Sequence, residues 1–220
     1  MNIPDNLLPP ELLTVAHILW LLILGVAVWR LRWEQLRASR EQNVFLGAVV
    51  ALLLLWSLNA GVTPGLGFHF LGVTVFTLMF GWALGTVGVS LASVGVVLNG
   101  DSGLQALSLN ALVLGVLPVS VSYGIYYLVD RYLPHHVFIY IFLCSFFGAI
   151  IAASVAVFAI VGIMAGTNTY SLARIAGEYL PFLPLYLLPE GMLNGILTTA
   201  FIGVCPRWLK TFDDESYLQR

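Results

Sequence analysis

His69 is the only readily titratable side chain in the stretch from residue 42 to residue 100, which contains no Asp, Glu, Lys or Arg. An imidazole can move a proton near neutrality or ligate a metal ion, and in an apolar setting it also serves as an interfacial residue bonded to a carbonyl. Other nitrogen and oxygen donors accompany it along the chain: the Met1 amine, Asn2, Asp5, Asn59, Asp101, Asn110 and Glu190. Several have a plain structural use. Asp101 and Asn110 suit the turn Gly100-Asp101-Ser102-Gly103 and a polar contact at a helix start. Glu190, directly after Pro189, suits the positive end of a last helix. His17 lies about 10 Å along the first apolar segment from Pro10 and faces either packing or the donor set. Amine, imidazole, amide and carboxylate donors without a thiolate suit a borderline divalent ion such as Ni, Co, Cu or Zn. Cys144 and Cys205 are isolated, lack CxxC spacing and read as packing residues. His135 and His136 are adjacent, point to different faces of a helix and chelate poorly, so they read as a solvated pair.

Enzymatic signatures are missing. The chain has no GxSxG, no HExxH and no paired aspartates within an apolar segment. A P-loop is excluded, because the single lysine, Lys210, is not preceded by glycine. If the protein moves something against a gradient with ATP, another subunit must hydrolyse it. The net charge of −2 gives no sign of a nucleic-acid partner.

The solvent that these donors live in is set by composition: 60% hydrophobic, 9% charged, mean hydropathy +0.94. A charge near the bilayer centre costs about 3 kcal/mol on insertion scales, so long charge-free apolar runs mark a chain embedded in lipid. With about 20 residues per helical span, 220 residues allow at most seven or eight spans and little else. The expectation is an all-α integral membrane protein forming a single membrane domain over 1–220. Acidic residues Asp5 and Glu11 and the lack of a small-residue cleavage site argue against a removed signal peptide, so Met1 is expected to remain.

Apolar spans read at about 12–31, 43–62, 68–83, 85–99, 104–129, 136–165 and 186–205, preceded by an outer N-terminal segment 1–11 and followed by a cytoplasmic tail 206–220. The stretch from Phe68 to Leu98 is either one helix of about 46 Å or two short ones meeting between Gly81 and Gly85. Charge decides. Seven spans with the N-terminus outside place Arg30, Arg32, Arg37, Arg40, Arg131, Arg207, Lys210 and Arg220 inside and only Arg174 outside, a strong positive-inside pattern. Six spans would invert everything after Leu98 and divide the basic residues almost evenly, so seven is the better count. That topology gathers the donors on the outer side.

Small residues inside the spans, such as Gly148, Ala152 and Ala156, let helices approach closely in lipid and indicate a compact bundle. The connection from Ala165 to Pro189 is long and is placed to cover an outward-facing site; Pro181, Pro184 and Pro189 are expected to break any helix through it.

Taken in order, several segments resemble one family, the CbiM/NikM substrate-binding membrane components of energy-coupling-factor (ECF) cobalt and nickel transporters. Met1-Asn2-Ile3-Pro4-Asp5-Asn6-Leu7-Leu8 is similar to that family's opening Met-His-Ile-Pro-Asp-Gly-Phe-Leu. Gly67-Phe68-His69-Phe70-Leu71-Gly72 matches its histidine-bearing span start. Gly100-Asp101-Ser102-Gly103-Leu104 through Asn110 resembles its Gly-Asp-Gly-Gly-Leu turn and following Asn, and Pro189-Glu190-Gly191 its last-span start.

The resemblance implies a seven-transmembrane-helix bundle, N-terminus outside and C-terminus cytoplasmic, with the N-terminal segment tucked into the outer side and a multi-pass position in the cell inner (plasma) membrane. It implies a planar nitrogen set in which Met1 supplies the amine, position 2 a backbone nitrogen and His69 the distal imidazole, with Asp5 available to complete the shell. Asn110, Glu190 and His17 stand behind these. It also implies a transported divalent metal ion (Ni/Co-like) with no permanently bound cofactor, and as partners an ECF-type transmembrane coupling subunit, ATPase subunits and the lipid bilayer. Asn2 departs from the pattern, because it stands where the family has its first imidazole, and an amide is a poor donor beside one. The alternative is a non-transporting membrane accessory protein that keeps the fold without a competent metal site.

Overall fold

The computed structural model describes residues 2–31, 33, 38–61, 63–100 and 102–217, so Met1, Arg32, Arg37, Asp101 and Arg220 lie outside the described residues. Among the described residues eight helices longer than a 3-10 turn follow in order: α1 (Pro10–Arg30), α2 (Ser39–Ser57), α3 (Val73–Leu98), α4 (Leu107–Tyr132), α5 (Val137–Gly166), α6 (Leu172–Glu178), α7 (Leu183–Val204) and α8 (Asp214–Tyr217). Among the described residues the only strand-like pairing is one antiparallel bridge, Ala60 with Phe68. Among the described residues five stretches are long and apolar enough to cross a membrane: α1, α3, α4, α5 and Leu172–Val204. Their outer surfaces are apolar too. Helix α1 turns Ile18, Leu19, Leu21, Leu22 and Val26 away from the protein, an arrangement that hydrocarbon tolerates and water does not. The interior is closed by Trp56, Phe76, Leu114, Tyr140 and Ile160, all fully buried, and by Ala152, Ala153 and Ala156 where α5 packs closely.

Helix α3 is not one rod. Gly81 has φ 73° and ψ −175°, a conformation in effect open to glycine alone. A Cβ added to Gly85 would stand 3.9 Å from the Thr77 Cα, whereas residues eight apart on a straight helix are separated by about 12 Å. The chain therefore folds back at Gly81 into two limbs, 73–80 and 82–98. Ending the first limb so abruptly orphans its last carbonyls. The C-terminal segment takes them up: Lys210 N–H donates to Met79 O (3.1 Å), and both the backbone N–H and the hydroxyl of Thr211 donate to Leu78 O (3.3 and 2.8 Å). With the Thr211 proton so engaged, its oxygen accepts from the Tyr140 hydroxyl at 2.7 Å. The basic residues gather at this end: Lys210 pairs with Glu41 (2.9 Å), and the Arg30 guanidinium lies 5.9 Å from the Trp82 ring.

Prolines in the late connection act differently from the sequence expectation. Pro184 starts α7, where a missing N–H costs nothing, and Pro189 lies inside that helix without ending it. The connection itself is helical in part, with α6 and a 3-10 turn at Leu180–Phe182.

Candidate functional site

The end of the bundle remote from the Gly81 reversal is where the N-terminal segment lies. Asn110, at the close of the first turn of α4, grips that segment as a backbone would. Its Oδ1 accepts from Ile3 N–H (2.9 Å), and its Nδ2 donates to Ile3 O (2.9 Å) and to the Ser102 hydroxyl (3.0 Å). Directly after Asn110 the helix widens into a π-helical stretch, Ala111–Val116, just ahead of Pro118, whose ring removes one helical hydrogen bond. Asp5 adds a second tie, accepting from Ala106 N–H at 3.0 Å just before α4. The carboxylate sits so close to Gly103 that any Cβ there would collide with it. Ile3 and Leu8 are buried beneath. Asn2, half-buried, borders a cavity of about 10 Å³ with Trp56, Ser93, Ser102 and Asn110, roughly the room of one water-sized sphere.

His69 lies in the connection between α2 and α3 and is 3% exposed. Its Nδ1 is 3.1 Å from the Phe70 carbonyl. A carbonyl only accepts, so Nδ1 carries the proton and the lone pair of the neutral ring is on Nε2. That Nε2 is buried and has no hydrogen-bond partner among the described residues. The Trp56 ring, whose centroid is 6.0 Å from that of His69, also borders the Asn2 cavity, and its N–H donates to Leu71 O (2.8 Å).

Helix α7 fixes the backbone just beyond His69. Glu190 Oε2 accepts from Leu71 N–H and Oε1 from Gly72 N–H, both at 2.9 Å; Asn194 Oδ1 accepts from Val75 N–H at 2.8 Å. Asn194 Nδ2 in turn donates to Glu190 Oε1 and to the Glu190 carbonyl, each at 2.8 Å. These are the donors that the start of α3 leaves unpaired, satisfied by a carboxylate where the helix dipole favours one. Glu190 is thus in mid-helix, 1% exposed, and serves the beginning of α3 rather than that of its own helix. Above, Phe68 stacks on Tyr179 with centroids 4.5 Å apart and lies 5.1 Å from Tyr186.

His17 is engaged elsewhere, its Nδ1 2.7 Å from Leu13 O and 2.9 Å from the Ser108 hydroxyl, within the packing of α1 on α4. His135 contacts Asp130 (3.1 Å), and His136 caps the start of α5 by accepting from Phe138 N–H (3.2 Å). The fold therefore brings Asn2 and Asn110 to one cavity, with His69 across Trp56 and Glu190 holding the backbone beside it. Asp5 and His17 are tied to α4. Among the described residues no three His, Cys, Asp or Glu side chains converge as a metal cluster. Sequence reasoning passed over Asn194 and Trp56, and gave Ser102 a place in a turn but no bond to Asn110. For Asn194 a signal existed: Glu190 and Asn194 form a polar pair at i, i+4 in an otherwise apolar helix.

These features define a polytopic all-α membrane protein with a nitrogen- and oxygen-bearing site at one end. The chain belongs to the CbiM family, the cobalt uptake substrate-specific transmembrane region, whose match runs over residues 2–208. This is a family of metal transport components and not of enzymes. A Haloquadratum walsbyi protein named for metal transport is 30% identical over 131 residues, 57% of each chain. An Archaeoglobus fulgidus protein named as a fused nickel transport protein is 25% identical over 133 residues, 60% of this chain and 43% of that one. The match thus spans about half the length of these relatives. Two crystal structures titled as transition metal transporters, one of them truncated, share the fold at 20% identity. Their TM-scores are 0.76 and 0.74, over 92% and 93% of this chain and 99% and 93% of theirs.

Proposed function

We propose that this chain is the substrate-capturing component of an ECF-type uptake transporter for a divalent transition-metal ion of the cobalt/nickel kind. The observation that carries the reading is the buried Nε2 of His69, without a hydrogen-bond partner among the described residues, beside the Trp56 that borders the Asn2 cavity. In this reading His69 Nε2 is the distal ligand, the Met1 amine and the Asn2 backbone nitrogen supply two more donors, and Asp5 or the Asn2 side chain completes the shell. Asn110 keeps the N-terminal segment in place, and Glu190 with Asn194 keeps the His69 connection in place. His17 supports the α1–α4 contact behind them. A clamp on the segment favours capture because less chain entropy is lost when the ion binds.

In this reading seven spans are counted by taking α3 as two limbs and adding α2 to the five apolar stretches, with the N-terminus outside, residues 206–220 cytoplasmic, and the whole a single domain in the inner membrane. ATP-driven reorientation requires a transmembrane coupling subunit and ATPase subunits, since this chain has no P-loop. The names of the two relatives, one for metal and one for nickel transport, support the substrate class.

Metal content and affinity of the protein beginning at Met1, measured against Ni, Co, Zn and Cu, test this. Stoichiometric binding is expected, lost in His69→Ala and lost when a neutral residue is added ahead of Met1. Binding that survives both changes would remove the site from this end of the bundle. A second reading, a membrane accessory protein with the family fold and no competent metal site, is favoured by Asn2 and by the lack of three convergent ligand side chains among the described residues; no binding by any variant would establish it.

A further inference from the structure

A groove of about 820 Å³ runs between α2 and α7, and His69 is not among the residues that line it. Its walls are apolar, including Ala48, Ala51, Leu55, Phe76, Leu193 and Leu197. At one end it reaches Gly72; at the other it is bordered by Arg40, Asn43 and Trp208. A second hollow of about 740 Å³ shares Arg40, Val44 and Trp208 with it and adds Glu41, Arg207 and Lys210. The two are neighbours that meet at the three shared side chains, an apolar trough beside a cationic vestibule.

The charge of the vestibule decides what fits. Lys210 is neutralised by Glu41 at 2.9 Å. Arg40 and Arg207 are exposed and have no acidic partner among the described residues. Trp208, half-buried between trough and vestibule, has the amphipathic ring that settles at the depth of lipid headgroups. The volume of the trough is that of a site for a sizeable organic ligand. We propose that this feature is a binding site for an anionic phospholipid, acyl chains in the α2–α7 trough and headgroup phosphate on Arg40 and Arg207. Arginine suits the phosphate because its planar fork donates two parallel hydrogen bonds to neighbouring oxygens. Basic pockets among membrane helices take up anionic headgroups on the same grounds. A peptide helix from a partner would fill the trough, yet would leave the two arginines without a counter-charge unless it carried one.

Native mass spectrometry of the delipidated full-length protein, titrated with phosphatidylglycerol and with phosphatidylcholine of the same chains, tests the proposal. The expected result is one phosphatidylglycerol bound in preference to phosphatidylcholine. Arg40→Ala with Arg207→Ala should weaken it by roughly fivefold per arginine while leaving phosphatidylcholine unchanged. Ala51→Trp, at an exposed position lining the trough, should block both lipids without disturbing the interior. Equal binding of the two lipids, or no loss in the double arginine variant, would overturn the headgroup assignment and with it the site. Retention of phosphatidylglycerol by Ala51→Trp would place the lipid elsewhere. Crosslinking of a cysteine at position 51 to a coupling subunit, with no lipid retained, would give the trough to a protein helix instead.

Discussion

Glu190 and Gly72 are 118 residues apart in sequence and 2.9 Å apart in space, carboxylate oxygen to backbone nitrogen. With the matching bond to Leu71, this contact lets a side chain from the last long helix set the conformation of the backbone that carries His69. An ion pair does not hold the two elements together; a helix start does, because its free N–H groups need acceptors and lipid offers none.

Replacing that carboxylate by its amide isostere separates charge and acceptor capacity from size. In Glu190→Gln one oxygen becomes a donor and faces Leu71 or Gly72 N–H, which leaves a buried donor unpaired. A loss of about 1–3 kcal/mol is expected in reversible unfolding in detergent, together with weaker metal binding. Unchanged stability would mean that solvent reaches these N–H groups.

Asn110 should act on the N-terminal segment more than on the bundle. Asn110→Ala removes both bonds to Ile3 and the one to Ser102, so the first residues are expected to become more susceptible to aminopeptidase. Metal affinity should fall about tenfold or more, since each 1.4 kcal/mol of lost preorganisation is a factor of ten. Digestion at the wild-type rate would show that Ile3 and Leu8 anchor the segment by burial alone.

At Gly81 the prediction concerns the backbone. Gly81→Ala puts a Cβ on a residue at φ 73°, ψ −175°, and about 1–3 kcal/mol of destabilisation is expected in thermal or denaturant unfolding. Gly124→Ala is the comparison: its Cβ would meet nothing within 4 Å and a helical site gains from alanine, so it should be neutral or stabilising by up to about 1 kcal/mol. Equal effects at the two positions would mean that the reversal is not held at Gly81.

The all-α class and its membrane setting were legible because hydrocarbon leaves few choices of composition. Hydropathy has no mark at Gly81, since both limbs of α3 are apolar and the residues around the reversal are too. Only the charge count separated one long helix from two short ones. The capping role of Glu190 was illegible for a different reason. Pro189 and Glu190 read in sequence as a helix start, although α7 runs through them from Leu183, and nothing in the sequence hints that the carboxylate serves a helix more than a hundred residues earlier. Asn110 and His69 could be singled out because polar groups are rare in such a chain. Their partners, Ile3 and Trp56, are ordinary apolar residues until the fold places them.

Asn2 is the position where the proposed metal chemistry can be tested by gain. In the reading above it contributes a backbone nitrogen and a weak amide donor, and the adjoining cavity of about 10 Å³ has little room beyond it. Asn2→His offers an imidazole in a chelate with its own backbone nitrogen, a stronger donor for a borderline ion. Affinity for Ni and Co should rise by at least about tenfold, roughly 1.4 kcal/mol, and that gain should vanish when His69→Ala is combined with it. The double variant discriminates: a gain that survives the loss of His69 would mean that the new imidazole builds a site of its own. No gain in the single variant, with the N-terminal segment still resistant to aminopeptidase, would take position 2 out of the ligand set and leave His69 to act with other donors.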